Sequence, residues 1–286
     1  MKNSINYIMA MLAVTMIGTG CQKMDKPALG EFPEDTNVPG GPLNFYAAFD
    51  GTTDNPLKNA VDSIRANYPV DNPLQSVDGI SGKALKGENQ KFVQYPKPND
   101  WAILSKAFTI SCWYKRNGQT LNNKGGNGPE YFMSFKSSNE HWSGASLLFF
   151  LEGDNTACAV KVEVVAAGLA ENWFTWENGS SGDFRIPGLL DNQWHHIALV
   201  YNNTNSTATL YIDGVPNPET RQWAGHGDVN FDDTKISEFR VGAGPGTSYD
   251  SDDWLSSTFK GELDQVRMYS VALTQAEISE LYTERK

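Results

Sequence analysis

The feature that most constrains the fold is a long succession of short segments in which apolar and polar residues alternate. An alternation with a period of two is the pattern of a β-strand that buries one face. In "FTISCWYKR" it places Ile110 and Cys112 on one face and Trp113 on the other. Such segments recur from residue 43 to residue 270 with turn residues between them, which is typical of antiparallel sheets. The pattern predicts an all-β, two-sheet antiparallel sandwich.

Two local patterns add detail to this fold. Asp213 and Gly214 lie between two strand-like runs, and this pair supplies the positive φ angles that a tight hairpin requires. Thr274 and Glu277 form a Thr-x-x-Glu capping box in front of a partly apolar stripe. The sequence therefore predicts one short helix, at the C-terminal end.

The first 42 residues have a different composition. Lys2 is followed by the apolar run Ile8–Ile17, which is too short to span a bilayer, then by small residues and Cys21. This resembles a bacterial lipoprotein signal, with Cys21 as the lipid-attachment residue; a cleaved secretory signal with a chance cysteine is the alternative. Residues 21–42 are rich in proline, glycine and charge, which predicts a flexible tether. We therefore expect a signal peptide at 1–20, a tether at 21–42 and one domain at 43–286.

Charge and cysteine content restrict the partners and the compartment. The formal net charge is −11, which disfavours nucleic acid and anionic lipid surfaces as partners. Cys112 and Cys158 both lie in apolar strand-like runs. An exported chain could join them in a disulfide, but a domain of this size does not need one, and we favour buried free thiols.

The histidines do not form a zinc motif in the sequence. His195 and His196 are adjacent in a strand, so they point to opposite faces and cannot share a metal ion. His141 and His226 lie in loops without zinc-ligand spacing. We therefore expect packed or hydrogen-bonded histidines.

Tryptophans provide the candidate binding residues. Polar residues or glycine flank four of them. An exposed aromatic ring can stack on the CH-rich face of a sugar while nearby polar groups bind its hydroxyls; alternatively, such a ring plugs an open end of the sandwich. Trp113 and Trp194 lie in mid-strand and are expected in the core. The predicted ligand-binding residues are Trp173, Trp176, Trp223 and Trp254.

Six segments in this order and spacing resemble laminin-G-like, concanavalin A-like jelly-roll domains. The most specific are "WHHIALVYN…LYIDG" and the closing "FKGELDQVRMY…LTQAEISELY". The resemblance covers residues 43–286. It implies two curved sheets of six or seven strands, a concave face, and frequent use in sugar binding. An acidic lipoprotein with one such domain resembles the outer-membrane glycan-binding lipoproteins of gut-type Bacteroidetes.

The same resemblance raises the question of catalysis. Laminarinase-like hydrolases of this fold carry a Glu-x-Asp-x-Glu strand. In "EGDNT" Glu152 and Asp154 match, but Thr156 takes the third position. In "ELDQV" Glu262 and Asp264 share one face, but Val266 follows. Neither segment supplies the second carboxylate that a retaining glycosidase needs at about 5 Å, so we expect no enzyme.

The resemblance implies a different role for Asp264. In related sandwiches the aspartate of a closing Asp-x-Val-Arg-x-Tyr strand ligates a structural calcium ion, and "DQVRMY" matches that pattern from Asp264 to Tyr269. Asp50 is a candidate second ligand. The alternative is that Asp264 accepts hydrogen bonds from backbone amides or from Arg267. The acidic run Asp250–Asp253 is interpreted as a solvated loop.

The predicted function is non-catalytic carbohydrate binding by a lipid-anchored protein. We expect an outer-membrane location, facing the cell surface or the periplasm. The partners are a polysaccharide or other glycan, the membrane through the anchor, and a surface protein as a further candidate. The alternatives are a protein–protein adhesion or scaffold module, and a laminarinase-like glycoside hydrolase.

Overall fold

We describe the fold from a computed structural model of the chain. It describes residues 41–50, 57–58, 61, 69–98, 100–118, 128–153, 157–176, 186–247 and 253–285. All of these lie in one compact unit, Asn37–Lys286. The predicted signal peptide, Cys21, Asp154 and nearly all of the predicted tether fall outside the described residues, as do positions 250–252 of the acidic run.

Nine strands form the first sheet, in the order β13-β12-β11-β5-β16-β3-β2, with β1 paired to β16 and β14 paired to β12. All of these pairs are antiparallel. The long central strands β5, β11 and β16 form its body. The strands are β1 (Leu43–Ala47), β2 (Gln75–Asp78), β3 (Lys83–Lys86), β5 (Phe108–Asn117), β11 (Asp191–Asn202), β12 (Thr207–Ile212), β13 (Val215–Pro216), β14 (Arg221–Gln222) and β16 (Glu262–Tyr269).

Seven strands form the second sheet, in the order β10-β8-β7-β6-β15-β4, with β9 paired to β8. These pairs are also antiparallel. The predicted two-sheet antiparallel sandwich is therefore confirmed. The nine-stranded sheet exceeds the six or seven strands that the resemblance implied because it includes the two-residue strands β13 and β14. The seven strands are β4 (Val93–Pro96), β6 (Glu130–Ser137), β7 (Ala145–Gly153), β8 (Ala157–Val165), β9 (Glu171–Trp176), β10 (Ile186–Pro187) and β15 (Ile236–Val241).

Both local predictions are confirmed. Asp213 (φ 50°) and Gly214 (φ 76°) adopt positive φ angles at the hairpin between β12 and β13. A one-turn helix, α1, spans Trp101–Leu104, and the C-terminal helix, α2, spans Gln275–Glu284. Thr274 and Glu277 form the predicted capping box at its start. No helix in the described part of the chain is long and apolar enough to cross a membrane.

The core lies between the inner faces of the two sheets. Phe108, Ile110 and Cys112 of β5 point into it, as their alternation predicts. Trp113 is buried on the opposite face of β5, where its ring stacks on Tyr282 of α2 at 5.4 Å. Cys112 and Cys158 are buried and are not joined in a disulfide.

The outer faces of the two sheets differ in what covers them. Helix α2 packs on the nine-stranded sheet through Ile278, which shares a small apolar cluster with Ala198 and Tyr269. Trp194 lies on this outer face and is partly exposed, so its predicted core position is wrong. The outer face of the seven-stranded sheet has a third apolar cluster, capped by Trp173 and Trp254.

Candidate functional site

Three indole rings meet on the outer face of the seven-stranded sheet. The ring centroids of Trp142 and Trp173 are 6.4 Å apart with planes inclined by 17°. The Trp254 centroid lies 6.1 Å from Trp142 and 6.3 Å from Trp173. We call Trp142, Trp173 and Trp254 the tryptophan platform. Two of its rings were predicted as ligand-binding residues, and the fold brings them together.

Each ring reaches the platform from a different element. Trp173 points outward from β9, opposite Glu163 of β8. Trp254 begins a 3₁₀ turn, Trp254–Ser256, in which the Asp253 carboxylate accepts a hydrogen bond from the Leu255 amide. Trp142 lies in the connection between β6 and β7. Residues far apart in sequence therefore form one surface.

A second layer of rings supports the platform. Phe150 of β7 lies edge-on beneath Trp254 at 5.1 Å and beneath Trp173 at 6.2 Å. Tyr131 of β6 meets Trp254 edge-on at 5.8 Å. Both supporting rings are buried. Edge-to-face packing of this kind fixes ring orientation, so Trp173 and Trp254 are held in place from below.

Polar groups border the platform on two sides. On one side, Glu152 accepts hydrogen bonds from the Trp254 indole N–H at 3.2 Å and from the Lys161 ammonium at 2.6 Å. On the other side, Glu171 accepts a hydrogen bond from the Trp173 indole N–H at 2.5 Å. Exposed ring faces bordered by carboxylates and an ammonium group can stack on one face of a pyranose and bind its hydroxyls.

Trp142 was missed by the sequence reasoning. Its side chain is 60% exposed, and it is the one tryptophan among the strongly exposed large apolar residues of the described chain. Exposed apolar surface of this kind marks binding sites when it is contiguous. The sequence does contain a signal for Trp142, because the residue stands between the polar residues His141 and Ser143. The four tryptophans predicted to bind ligand have polar or glycine neighbours of the same kind.

The prediction that Trp176 binds ligand is wrong. It lies three residues after Trp173 on the same strand, and an odd spacing sends the two rings to opposite faces. The Trp176 ring is fully buried in the core. Its indole N–H donates to the Glu219 carbonyl at 2.7 Å. Trp176 is therefore a structural residue.

Trp223 lies elsewhere. It is partly exposed and packs on the main core, with ring contacts to Phe174 and Tyr201 at 6.4 Å each. His226 stacks on its outer side at 3.4 Å. Because Phe174 points inward from β9, Trp223 belongs to the side of the sheet that faces away from the platform.

Three titratable groups lie close together beside the platform. His141, Glu163 and Glu171 offer ligand atoms that are all within 4.8 Å of one another. Glu163 is completely buried, and its burial raises its pKa to about 8. The sequence reasoning missed this cluster because His141 has no zinc-like spacing; its neighbours come from β8 and β9, not from the adjacent sequence.

The outward-facing carboxylates on β7 and β8 are far apart. Glu152 pairs with Ala159, while Glu163 pairs with Leu148. Four strand positions separate them, which corresponds to about 13 Å at roughly 3.3 Å per residue. Retaining glycosidases hold their carboxyl groups at about 5 Å and inverting ones at about 6.5–9.5 Å. These two strand positions are spaced more widely than either geometry.

The pair Glu262 and Asp264 belongs to the other sheet. Glu262 forms an ion pair with Lys115 at 3.3 Å. Asp264 is buried, and its Oδ2 accepts a hydrogen bond from the Ile80 amide at 2.9 Å. Neither residue faces the platform, so they cannot act on a ligand bound there.

The loop between β2 and β3 brings Asp264 and Asp50 together. The Asp50 Oδ1 accepts a hydrogen bond from the Lys83 amide at 3.0 Å. A Cβ atom at Gly79 would lie 2.4 Å from the Asp264 Oδ2, and one at Gly82 would lie less than 2 Å from Asp50. Only glycines at these two positions allow the loop to close on both carboxylates.

Asp264 has an unused ligand atom. Its Oδ1 is buried and has no hydrogen-bond partner among the described residues. Burial, with a further contribution from the nearby Asp50 charge, raises the pKa of Asp264 to about 7. A buried carboxylate oxygen without a partner, with a second carboxylate nearby, is compatible with a calcium ion, which takes oxygen ligands of mixed type.

The adjacent histidines behave as their alternation predicts. His196 is buried, and burial lowers its pKa to about 3, so it is neutral. His195 points the other way, and both of its ring nitrogens meet carboxylates: Asp213 at 2.8 Å and Asp191 at 3.1 Å. These contacts, Asp213 foremost, raise the pKa of His195. Both are structural histidines.

Comparison with known proteins identifies the family. The model of the concanavalin A-like lectin/glucanases superfamily matches residues 87–279. No curated protein matches the sequence.

Solved structures share the fold at low identity. The binding domain of Paraclostridial Mosquitocidal Protein 1 has a TM-score of 0.56 at 16% identity, over 85% of this chain and 52% of that one. The Botulinum Neurotoxin serotype G binding domain has a TM-score of 0.57 at 11% identity, over 85% and 51%. The binding domain of Botulinum neurotoxin DC, solved in complex with rat synaptotagmin II, has a TM-score of 0.55 at 9% identity, over 86% and 52%.

The chain thus spans about half the length of these solved structures, and what it shares with them is the fold. All three are binding domains by name. The family match over residues 87–279, together with the two-sheet architecture, shows that the chain belongs to the concanavalin A-like lectin/glucanases superfamily.

Proposed function

We propose that this protein binds carbohydrate without cleaving it, through the tryptophan platform. The observation that carries the proposal is the meeting of three indole rings, at centroid distances of 6.1–6.4 Å, on one open sheet face. A soluble domain gains nothing in stability by leaving 60% of a tryptophan exposed. The exposure of Trp142 beside two further indole rings therefore supports a ligand that covers it.

The chemistry of the platform favours a sugar over a purely apolar ligand. Stacked pyranose rings present CH groups to an indole face and hydroxyls at their edge. Glu152 and Lys161 stand at the edge of the platform, where hydroxyls of a stacked sugar would lie. The spacing of the three rings suits an extended saccharide of more than one residue better than a single sugar.

The carboxylates on the same sheet face support the proposal that the protein does not cleave its ligand. Glu152 is engaged by Lys161 and by the Trp254 indole, and Glu163 is buried about 13 Å along the strands from it. Glu163 does lie within 4.8 Å of Glu171 and His141, but both of its carboxylate oxygens are inaccessible, so it presents no acid to a ligand on the platform. A glycosidase needs a paired acid and nucleophile or base across the bond that it cuts. The platform therefore retains its ligand and releases it intact.

We also propose that Asp264 and Asp50 hold a structural calcium ion. The ion would neutralise two facing carboxylates and fix the β2–β3 loop against β16. Its role would be structural, because Asp264 lies on β16 and Asp50 accepts a hydrogen bond from the first residue of β3, both in the nine-stranded sheet and not in the sheet that carries the platform. Chelator treatment followed by thermal melting with and without added calcium measures this contribution.

Lipid attachment at Cys21 and an outer-membrane location remain part of the proposal. An acyl chain would hold the domain at a membrane, and residues 21–42 would give it reach. Tethering raises the local concentration of a weakly bound glycan. Globomycin treatment, or Cys21→Ser followed by membrane fractionation, tests the anchor: the variant should leave the membrane fraction.

Binding to arrayed polysaccharides and retardation in affinity gels test the function. We expect at least one glycan to bind, and Trp173→Ala to abolish that binding while the melting temperature changes little. Trp194→Ala is the matched control, since that ring is partly exposed on the other sheet. Absence of binding to every glycan, together with capture of one stable protein partner unaffected by sugars, would establish the adhesion alternative instead.

A further inference from the structure

A histidine and two glutamates form a closed cluster beside the platform. The His141 Nε2 lies 3.2 Å from the Glu171 Oε2, and its Nδ1 lies 3.7 Å from the Glu163 Oε1. All three groups can place a ligand atom within 4.8 Å of the other two. The His141 side chain is 8% exposed and the Glu163 side chain is 0% exposed, while the Glu171 side chain is 32% exposed, so the cluster is buried at Glu163 and reaches solvent at Glu171.

The buried glutamate makes this more than a surface charge cluster. Both carboxylate oxygens of Glu163 are inaccessible and have no hydrogen-bond partner among the described residues. A buried carboxylate without partners is costly, because water no longer solvates it. Within the described part of the chain, His141 is the one ion-pair partner of either glutamate. A cation held between the three side chains would give both carboxylates a common partner.

His195 provides a contrast within the same molecule. It also lies between two carboxylates, but Asp213 and Asp191 bind its opposite ring nitrogens at 2.8 and 3.1 Å. Its two carboxylates therefore lie at opposite ends of the ring, and within the described part of the chain they do not form a three-residue group with ligand atoms close to one another. His141 also meets a different carboxylate at each ring nitrogen, and its Nδ1 lies 2.7 Å from the Ser143 Oγ. In this cluster, however, one ligand atom from each of the three side chains lies within 4.8 Å of the other two.

We propose that His141, Glu163 and Glu171 bind a divalent transition-metal ion, of which zinc fits best. An imidazole nitrogen with two carboxylate oxygens is a ligand set typical of zinc, whereas calcium and magnesium prefer oxygen ligands alone. Two ligands at about 2.0–2.1 Å from a tetrahedral ion lie roughly 3.3 Å apart. The 3.2 Å between His141 and Glu171 matches this spacing.

The site is linked to the platform through one shared residue. Glu171 accepts the Trp173 indole hydrogen bond with its Oε1 and faces His141 with its Oε2. An ion that fixes the Glu171 carboxylate also fixes the orientation of that hydrogen bond. Three protein ligands leave a fourth position for water or for a ligand group.

Isothermal titration of the purified, chelator-treated protein with zinc chloride tests the proposal directly. We expect one saturable high-affinity site, and at least a tenfold loss of affinity in Glu163→Gln and in His141→Gln. Glu163→Gln keeps the shape of the side chain and removes the carboxylate that would ligate the ion, so this variant should fold with a melting temperature close to that of the unaltered protein. Zinc-edge anomalous diffraction should place the ion between the three side chains.

His195→Gln is the control, because it removes a histidine that lies between two carboxylates without removing the cluster. It should bind zinc as the unaltered protein does. The proposal is overturned if zinc does not bind, if Glu163→Gln and His141→Gln bind it unchanged, or if His195→Gln loses it. None of these readouts depends on glycan binding, so the proposed function and the metal site fail independently.

Discussion

Replacing Trp142 by alanine is the sharpest perturbation of the proposed binding face. The side chain is 60% exposed, so its removal leaves no core cavity. A tryptophan can bury about 250 Å², which makes the exposed part about 150 Å². A sugar stacked on one ring face covers about half of this, or roughly 75 Å². At about 25 cal/mol per Å² the stacking contributes about 1.9 kcal/mol.

This free energy corresponds to about a 20-fold loss of affinity, since each 1.4 kcal/mol is tenfold. Affinity electrophoresis and calorimetry on the glycan identified by array should measure that loss in Trp142→Ala. The melting temperature should stay within a degree or two of the unaltered protein. Trp194→Ala, which truncates a partly exposed ring on the other sheet, should bind normally. Unchanged affinity in Trp142→Ala, or an equal loss in Trp194→Ala, would refute the reasoning.

Three further predictions concern stability and chemistry. Trp176→Ala should destabilise the fold by about 3–5 kcal/mol because it empties a fully buried site. Calorimetry on the fraction that still folds should give the same glycan affinity as the unaltered protein. The raised pKa of Asp264, about 7, means that the native state keeps a proton that the unfolded chain loses above about pH 4. In calcium-free buffer, the unfolding free energy of the unaltered protein, measured in urea, should therefore decrease relative to that of Asp264→Asn from about pH 4 to about pH 7; a difference between the two proteins that does not change with pH would contradict the assigned burial. Incubation with laminarin or agarose should release no reducing sugar, and release that Glu152→Gln abolishes would establish a hydrolase.

The fold was predictable because its signals are local. Alternation decides which face of a strand each side chain takes, as Cys112 in the core and Trp113 on the opposite face illustrate. The Asp213-Gly214 hairpin and the Thr274–Glu277 capping box each depend on residues within one turn of chain. Such features need no knowledge of tertiary contacts.

The binding face was predictable in part. Trp173 and Trp254 were found from their polar flanks, but the same criterion selected Trp176, whose odd spacing from Trp173 places it in the core. The alternation of side chains along a strand, applied to β9 as it was to β5, would have placed Trp173 and Trp176 on opposite faces. Trp142 carried the same flanking signal and was overlooked.

The His141 cluster could not have been predicted from the spacing of its three residues in the sequence. Its residues meet because the β6–β7 connection lies over the end of β8, and because β9 returns beside β8 in a register that pairs Glu163 with Trp173. A strand register of this kind is decided by the whole sheet. A ligand set assembled from three segments therefore has no sequence motif.

A crystal structure with a bound oligosaccharide tests the central claim most directly. The account predicts saccharide rings stacked on Trp142, Trp173 and Trp254, hydroxyls directed at Glu152 and Lys161, and an uncleaved ligand. A saccharide bound on the nine-stranded sheet, or held between two carboxyl groups that face each other across its glycosidic bond, would contradict it.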